Sequence, residues 1–180
     1  EQGFRQTATI PADVLPGAIV EIDGRVALGG FTNVILPANI RVVGSRPLPE
    51  PRPFDAERFF SGAESCKLVK ATGVVQAVEP AQGRHALTIE TDLRTFRALV
   101  HTTIIRDDPQ RLVDAVVRVV GVPMGLSNTR GQPVDPQLYV DRAAWFEVIE
   151  PAVRGPFDVE KIPLESLGRF RRQPLRGHRI

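Results

Sequence analysis

Apolar and polar residues alternate in GAIVEIDGRVAL (17–28), with Val20 and Ile22 on one side and Glu21 and Asp23 on the other. A period of two is that of a strand with one wet face. Gly24 interrupts the run, and a glycine there predicts a bulge or a sharp bend. Gly29-Gly30 suits a turn, after which VILPANIRVV (34–43) resumes as strand. Pro37 inside it marks an edge or a break. KLVKATGVVQAV (67–78) predicts a long strand with Gly73 at its centre. Two shorter strands, 86–91 and 95–101, join near Asp92, and AVVRVVGV (115–122) is strand again. The polar stretch SNTRGQPVDP reads as hairpin-like, and the last strand is predicted over 138–149, broken around Arg142.

Helical signals are few and short. SRPLPEPRP (45–53) holds four prolines and predicts a stiff, extended connector. Asp55 then caps a helix predicted over 55–61, Phe54 and Phe59 fit a hydrophobic staple across its start, and Gly62 ends it. Asp108-Pro109 predicts a second short helix through Val113, with proline at the first helical position.

The chain also repeats itself. AIVEIDG (18–24) aligns without a gap on AVVRVVG (115–121), and ANIRVV (38–43) on AWFEVI (144–149). Each pair is followed by a proline-containing connector and then by Pro-Phe-Asp-x-Glu, at 53–57 and 156–160. The phrase is thus the join between successive copies of one module. The second copy, 63–150, shows five strands with a short helix between the third and fourth. The first, 1–46, shows only its last three. A third is expected to begin near Gly177-His178-Arg179-Ile180. This predicts a mainly β protein of tandem OB-fold-like, five-stranded Greek-key barrels, the first incomplete. Residues 47–62 form a proline-rich connector with its helix, and 151–180 a connector, a short helix and the start of a further module.

Several stretches carry a family resemblance: PGAIVEIDGRV (16–26), GGFTNVILPANIRVVG (29–44), LVDAVVRVVGVPMGLSNTRGQPVDPQLYV (112–140), EVIEPAVRGPFDVEKIPLESLGRF (147–170) and GHRI (177–180). Their order resembles the repeated OB-like modules ahead of the kinase core in some bacterial sensor histidine kinases. The resemblance implies an extracytoplasmic, periplasmic input or spacer region of an inner-membrane protein. Neither a phosphoacceptor histidine region nor a kinase core is present, so it implies a non-catalytic region whose parent carries the activity. A three-strand remnant would leave open edges. The expected partners are therefore neighbouring modules, a second copy joined through the incomplete first module, and a small ligand or protein.

Charge narrows the partners further. The net charge is +2, but residues 169–180 hold five arginines and no acid, leaving the remainder at −3. A mildly acidic body argues against a broad nucleic-acid face. One cysteine, Cys66, allows no internal disulfide. No nucleotide-loop, nucleophile-elbow or zinc-protease motif occurs, and no cofactor is expected. His85, His101 and His178 stand far apart without supporting Cys or clustered acids, so no metal site is expected. Asp107-Asp108 reads as helix capping rather than paired catalytic carboxylates. Cys66 reads as a small, inert hydrophobe at a strand start, although Lys67 and Lys70 nearby would favour a thiolate.

The ligand-binding candidates are Phe96, Arg94, Arg97, Tyr139 and Trp145. On the second and third strands of a barrel, Phe96 is the one residue that could stack on a base, with Arg94 and Arg97 beside it. Alternation points it away from Arg97, and it reads better as core. Trp145 and Phe146 must face opposite sides of their strand. With Tyr139 they mark a module junction or the wall of a small-molecule pocket.

Overall fold

The computed structural model describes residues 11, 14–28, 33–92, 94–127 and 133–152. The chain divides into two compact units: Glu1–Glu50 with Leu126–Val134, and Pro51–Gly125 with Asp135–Ile180. The second Pro-Phe-Asp-x-Glu phrase, the basic segment 169–180 and the expected start of a third module lie outside the described residues.

In the first unit, β1 (Ala18–Leu28) and β2 (Asn33–Ser45) form a two-stranded antiparallel ribbon. Among the described residues two of the three expected strands are seen, and β2 runs through Pro37 beside a shift in the ladder. Both strands of a ribbon are edge strands, and proline is tolerated on an edge strand or at a bulge. The ladder shifts register at Ile19/Val20 and again at Asp23/Gly24, where the glycine predicted a bulge.

The second unit contains β3 (Arg52–Pro53), α1 (Ala56–Phe60), β4 (Val69–Ala81), β5 (Arg84–Glu90), β6 (Thr95–His101), β9 (Phe146–Glu150) and all of β7 (Val116–Ser127) and β8 (Pro133–Val140) except their ends at 126–127 and 133–134, which belong to the first unit. Strands β4-β5-β6-β8-β7 follow one another around the sheet, and β4 pairs with β7 to close it. β4 is antiparallel to both β5 and β7, while β6 and β8 run parallel. This is the strand order of the OB fold, in which the first strand holds the second and the fourth, and the third holds the fifth. β9 extends the sheet along the free part of β7.

One long strand must turn a corner to serve two neighbours. β4 pairs with β7 over Val69–Val74 and with β5 over Val74–Ala81. Gly73 sits at the corner, where a Cβ would run into the Glu90 carbonyl and the Ile89 side chain. Inside lie Val75, Leu87, Ile89, Phe96, Val100, Val117, Val119, Leu138 and Val140, all buried. Small branched side chains suffice to fill a barrel this narrow.

The short helix expected between the third and fourth strands is present, in a tighter form than an α-helix. There the chain makes a 3-10 turn, Pro109–Leu112, with the Asp108 carboxylate accepting from Gln110 N at 3.1 Å. The barrel end is closed by α1, which precedes β4. Asp55 caps it by accepting from Arg58 N at 3.0 Å. The stapling rings Phe54 and Phe59 lie 5.2 Å apart, and both meet Phe96, at 5.0 and 5.5 Å. The predicted last strand, 138–149, is two strands. The break comes at Asp141–Arg142 as expected, and a 3-10 turn over Ala143–Trp145 leads into β9.

The internal repeat holds at the level of single cross-strand partners. In β1–β2 the partners are Ile19–Gly44, Val20–Val42, Glu21–Arg41 and Ile22–Ile40. In β7–β9 they are Val116–Glu150, Val117–Val148, Arg118–Glu147 and Val119–Phe146. These are the same positions under the gapless alignments. The bulge falls at the same place too, between Ile19 and Val20 and between Val116 and Val117. Even the cross-strand ion pair recurs with its polarity reversed: Glu21 with Arg41 at 2.6 Å, Arg118 with Glu147 at 2.7 Å.

Candidate ligand-binding face

Alternation assigns the two sides of the barrel wall. Leu87, Ile89, Phe96, Ala98, Val100, Leu138 and Val140 are buried and face in. Arg84, Ala86, Thr88 and Glu90 of β5 therefore face out, as do Arg97, Leu99 and His101 of β6 and Gln137 and Tyr139 of β8. In register, Ala86 lies opposite Leu99, and Leu99 opposite Tyr139. Ala86 and Leu99 are 1% and 8% exposed, although they point outward.

Two ion pairs cross the face around them. Glu79 on β4 faces Ala86, and Arg97 on β6 faces Thr88, so their 3.0 Å contact must pass over β5. Arg84 starts on β5 and meets Asp141 just beyond β8, so this pair passes over β6. The Arg84 guanidinium also donates to the Leu99 carbonyl at 3.4 Å and lies over the Tyr139 ring at 5.1 Å. Gln76 on β4 donates to Glu90 at 2.8 Å. The face is polar, and these two arginines are each matched by a carboxylate.

The sequence candidates do not converge on one site. Phe96 is 3% exposed, under Phe54 and Phe59. It is corrected from stacking candidate to core residue, because a ring closed over by α1 offers no face to a ligand. Arg94 lies over the Phe60 ring at 5.1 Å and, with Phe54, Asp55 and Glu57, lines an open cavity of about 570 Å³ beside α1. Arg97 and Tyr139 share the outward face. Trp145 is half-buried against the core, with Arg142 over its ring at 5.4 Å. Sequence reasoning missed Arg84 and Asp141, the pair that frames Tyr139.

Other titratable groups have local explanations. Cys66 is exposed in a left-handed turn (φ 61°), three residues before β4, rather than packed at a strand start. His101 Nδ1 is 2.8 Å from Thr103 Oγ1. Glu64 is 3% exposed, hydrogen-bonded to Arg58 and 3.7 Å from Arg52. The Arg58 hydrogen bond outweighs burial and holds its carboxyl below the usual range. Among the described residues no group of His, Cys, Asp and Glu could hold a metal, and no helix is long and apolar enough to cross a membrane.

No family model and no curated protein matches the chain. Among solved structures it is similar to the aspartyl tRNA synthetase from Entamoeba histolytica, at 18% identity, TM-score 0.45, over 59% of this chain and 24% of that one. It is similar to a putative aspartyl-tRNA synthetase from Leishmania major Friedlin, at 13% identity and TM-score 0.46, over 63% and 23%. It is also similar to the asparaginyl-tRNA synthetase from Pyrococcus horikoshii, at 16% identity and TM-score 0.43, over 59% and 24%. The chain spans about a quarter of the length of these proteins. Its own strand order and pairing register identify the complete module as a mainly β, OB-type barrel.

Proposed function

We propose that the complete module is a non-catalytic OB-type binding module. Its outward face on β5, β6 and β8 takes an extended polar polymer of low charge, of the oligosaccharide class. One observation carries the reading: Tyr139 lies beneath Arg84, and Asp141 holds that guanidinium. A ring, a guanidinium donor that can swing off it and a carboxylate acceptor side by side suit a ligand with hydroxyl groups and apolar C–H faces. A single-stranded nucleic acid asks for surplus positive charge and successive stacking rings. On this face Arg84 and Arg97 are neutralised by Asp141 and Glu79, and Phe96 is in the core. The two crossing ion pairs are partly exposed, and such pairs are worth ~0–1 kcal/mol, so a ligand can exchange them for its own hydrogen bonds at little cost.

The test is amide NMR of the chain titrated with neutral glucose and N-acetylglucosamine oligosaccharides, and separately with oligo-dT. Saccharide shifts confined to residues 84–101 and 137–141, insensitive to salt and weakened about tenfold or more by Tyr139→Ala, are expected. Oligo-dT binding that survives physiological salt and needs Tyr139, with the saccharides silent, would replace this reading with a nucleic-acid one.

The repeat favours a second reading of the parent protein. Modules repeated to the level of one bulge and one ion pair, joined by a proline-rich segment at 45–53, suit the extracytoplasmic input or spacer region of a sensor histidine kinase. Independent tumbling of the two units in NMR relaxation would count against signal transmission through that joint.

A further inference from the structure

The ribbon of the first unit has one apolar face. β1 places Val20, Ile22, Gly24 and Val26 on it, and Val42, Ile40 and Ile35 are the partners of Val20, Ile22 and Val26. The opposite face is mixed, carrying Glu21, Asp23 and Arg25 together with Ile19 and Leu36, which are 42% and 45% exposed. On the apolar face Ile22 is 42% exposed, Val26 72%, Ile35 55% and Val42 37%. The repeat identifies the equivalents of the β1 residues as Val117, Val119, Gly121 and Pro123. Val117, Val119 and Pro123 are all but fully buried.

What covers those equivalents is known. The second edge of β7 is taken by β4, with Val69–Val74 antiparallel to Gly121–Val116, and the strands beyond β4 lie over the face. Among the described residues β1 is paired on one side only, to β2. Its edge at Ile19–Gly24 is the counterpart of Val116–Gly121.

We infer that this edge of β1 is an acceptor site for an antiparallel strand of the β4 type, supplied by a sibling module of the same repeat. This goes beyond the saccharide reading and uses different residues. Charge fits the transplanted register. In the barrel Lys70 pairs with Val120, and the position equivalent to Val120 in β1 is Asp23. A β4-type strand would therefore set its lysine opposite an aspartate, a favourable cross-strand pair. Main-chain hydrogen bonds to an open edge supply the affinity, and side chains alternating onto the apolar face supply the register.

The probe is a synthetic peptide of residues 67–78, KLVKATGVVQAV, added to the full chain and read by hydrogen exchange and by anisotropy of a labelled peptide. Saturable binding is expected, with exchange of the β1 amides slowed about tenfold or more. Ile22→Lys in the chain should weaken binding more than about tenfold, and Lys70→Glu in the peptide several-fold. A version with the same segment tethered to the chain by a Gly/Ser linker makes the outcome independent of peptide solubility. No protection of β1 in either format overturns the inference, as does binding unchanged by Ile22→Lys. Concentration-dependent dimers that protect β1 without peptide would also overturn it, by making a second copy's edge the occupant. Tyr139→Ala leaves this assay unchanged, so its failure is distinguishable from failure of the saccharide reading.

Discussion

The ribbon β1–β2 and the pair β7–β9 are one local structure in two environments. They share register, bulge position and a cross-strand ion pair, yet Ile22 is 42% exposed where Val119 is fully buried. Local pattern therefore decides how two strands pair, and it does not decide whether their apolar face is covered. Coverage comes from β4, a strand some forty residues upstream of β7, and burial rather than pairing supplies most of the stability of a small sheet. The sharpest break of this comparison is one charge placed at the matched position. Val119→Lys forces an ammonium into a closed core and should cost at least about 4 kcal/mol, abolishing the barrel's cooperative thermal transition. Ile22→Lys should change the exchange rates of ribbon amides by no more than the equivalent of about 0.5 kcal/mol. Comparable losses at both positions would mean that the ribbon face is covered in solution.

The same contrast explains what the sequence made legible. Period-two alternation and glycine bends are local, so the strands, the bulge near Gly24 and the corner at Gly73 could be read directly. The Asp55 cap and the Phe54/Phe59 staple are local as well. Alternation also pointed Phe96 away from Arg97, but its neighbours, Phe54 and Phe59, come from a helix about forty residues earlier and could not be read. Nor could the Arg84–Asp141 pair, whose members meet only because β6 and β8 run parallel in a closed barrel. A candidate face built from residues near in sequence thus missed the arginine that frames Tyr139. Residues 138–149 show the same limit: the break around Arg142 was legible, but not that the two halves would take different partners, β6 for one and β7 for the other.

A smaller effect separates the two regions by pH. Glu64 lies in the turn between α1 and β4, and its carboxyl is held below the usual range by Arg58. A carboxyl with a depressed folded-state pKa binds its proton less readily folded than unfolded. Its contribution is therefore complete above the unfolded value and is lost as pH falls through the folded one. Barrel stability should fall on acidification below the ordinary carboxylate range, and Glu64→Gln should flatten that limb. The gap between wild type and Glu64→Gln in urea midpoint should be larger near about pH 7 than near about pH 3. Exchange of ribbon amides, corrected for intrinsic rates, should not change with Glu64→Gln. A constant gap across that window would show that Glu64 acts through packing and not through its charge.

The mirrored ion pairs give the finest comparison. Glu21–Arg41 and Arg118–Glu147 occupy equivalent positions with opposite polarity, at 2.6 and 2.7 Å, and all four side chains are well exposed. Exposed cross-strand pairs are worth ~0.2–1 kcal/mol, less the cost of ordering two long side chains. Arg118 stands on a strand held on both edges, so part of that ordering is already supplied by the barrel. In the ribbon the backbone beneath Glu21 is held, among the described residues, on one edge, and the pair must also order the strand. Charge reversal tests this directly: Glu21→Arg and Arg41→Glu, singly and together, against Arg118→Glu and Glu147→Arg. Each single reversal sets like charges opposite one another, and each double restores an attractive pair. Double-mutant coupling should be about 0.5 kcal/mol or less in the ribbon, read by amide exchange, and larger in the barrel, read by urea unfolding. Equal couplings would mean that the ribbon's strands are ordered as firmly as the barrel's. The open edge of β1 would then already have a partner in solution.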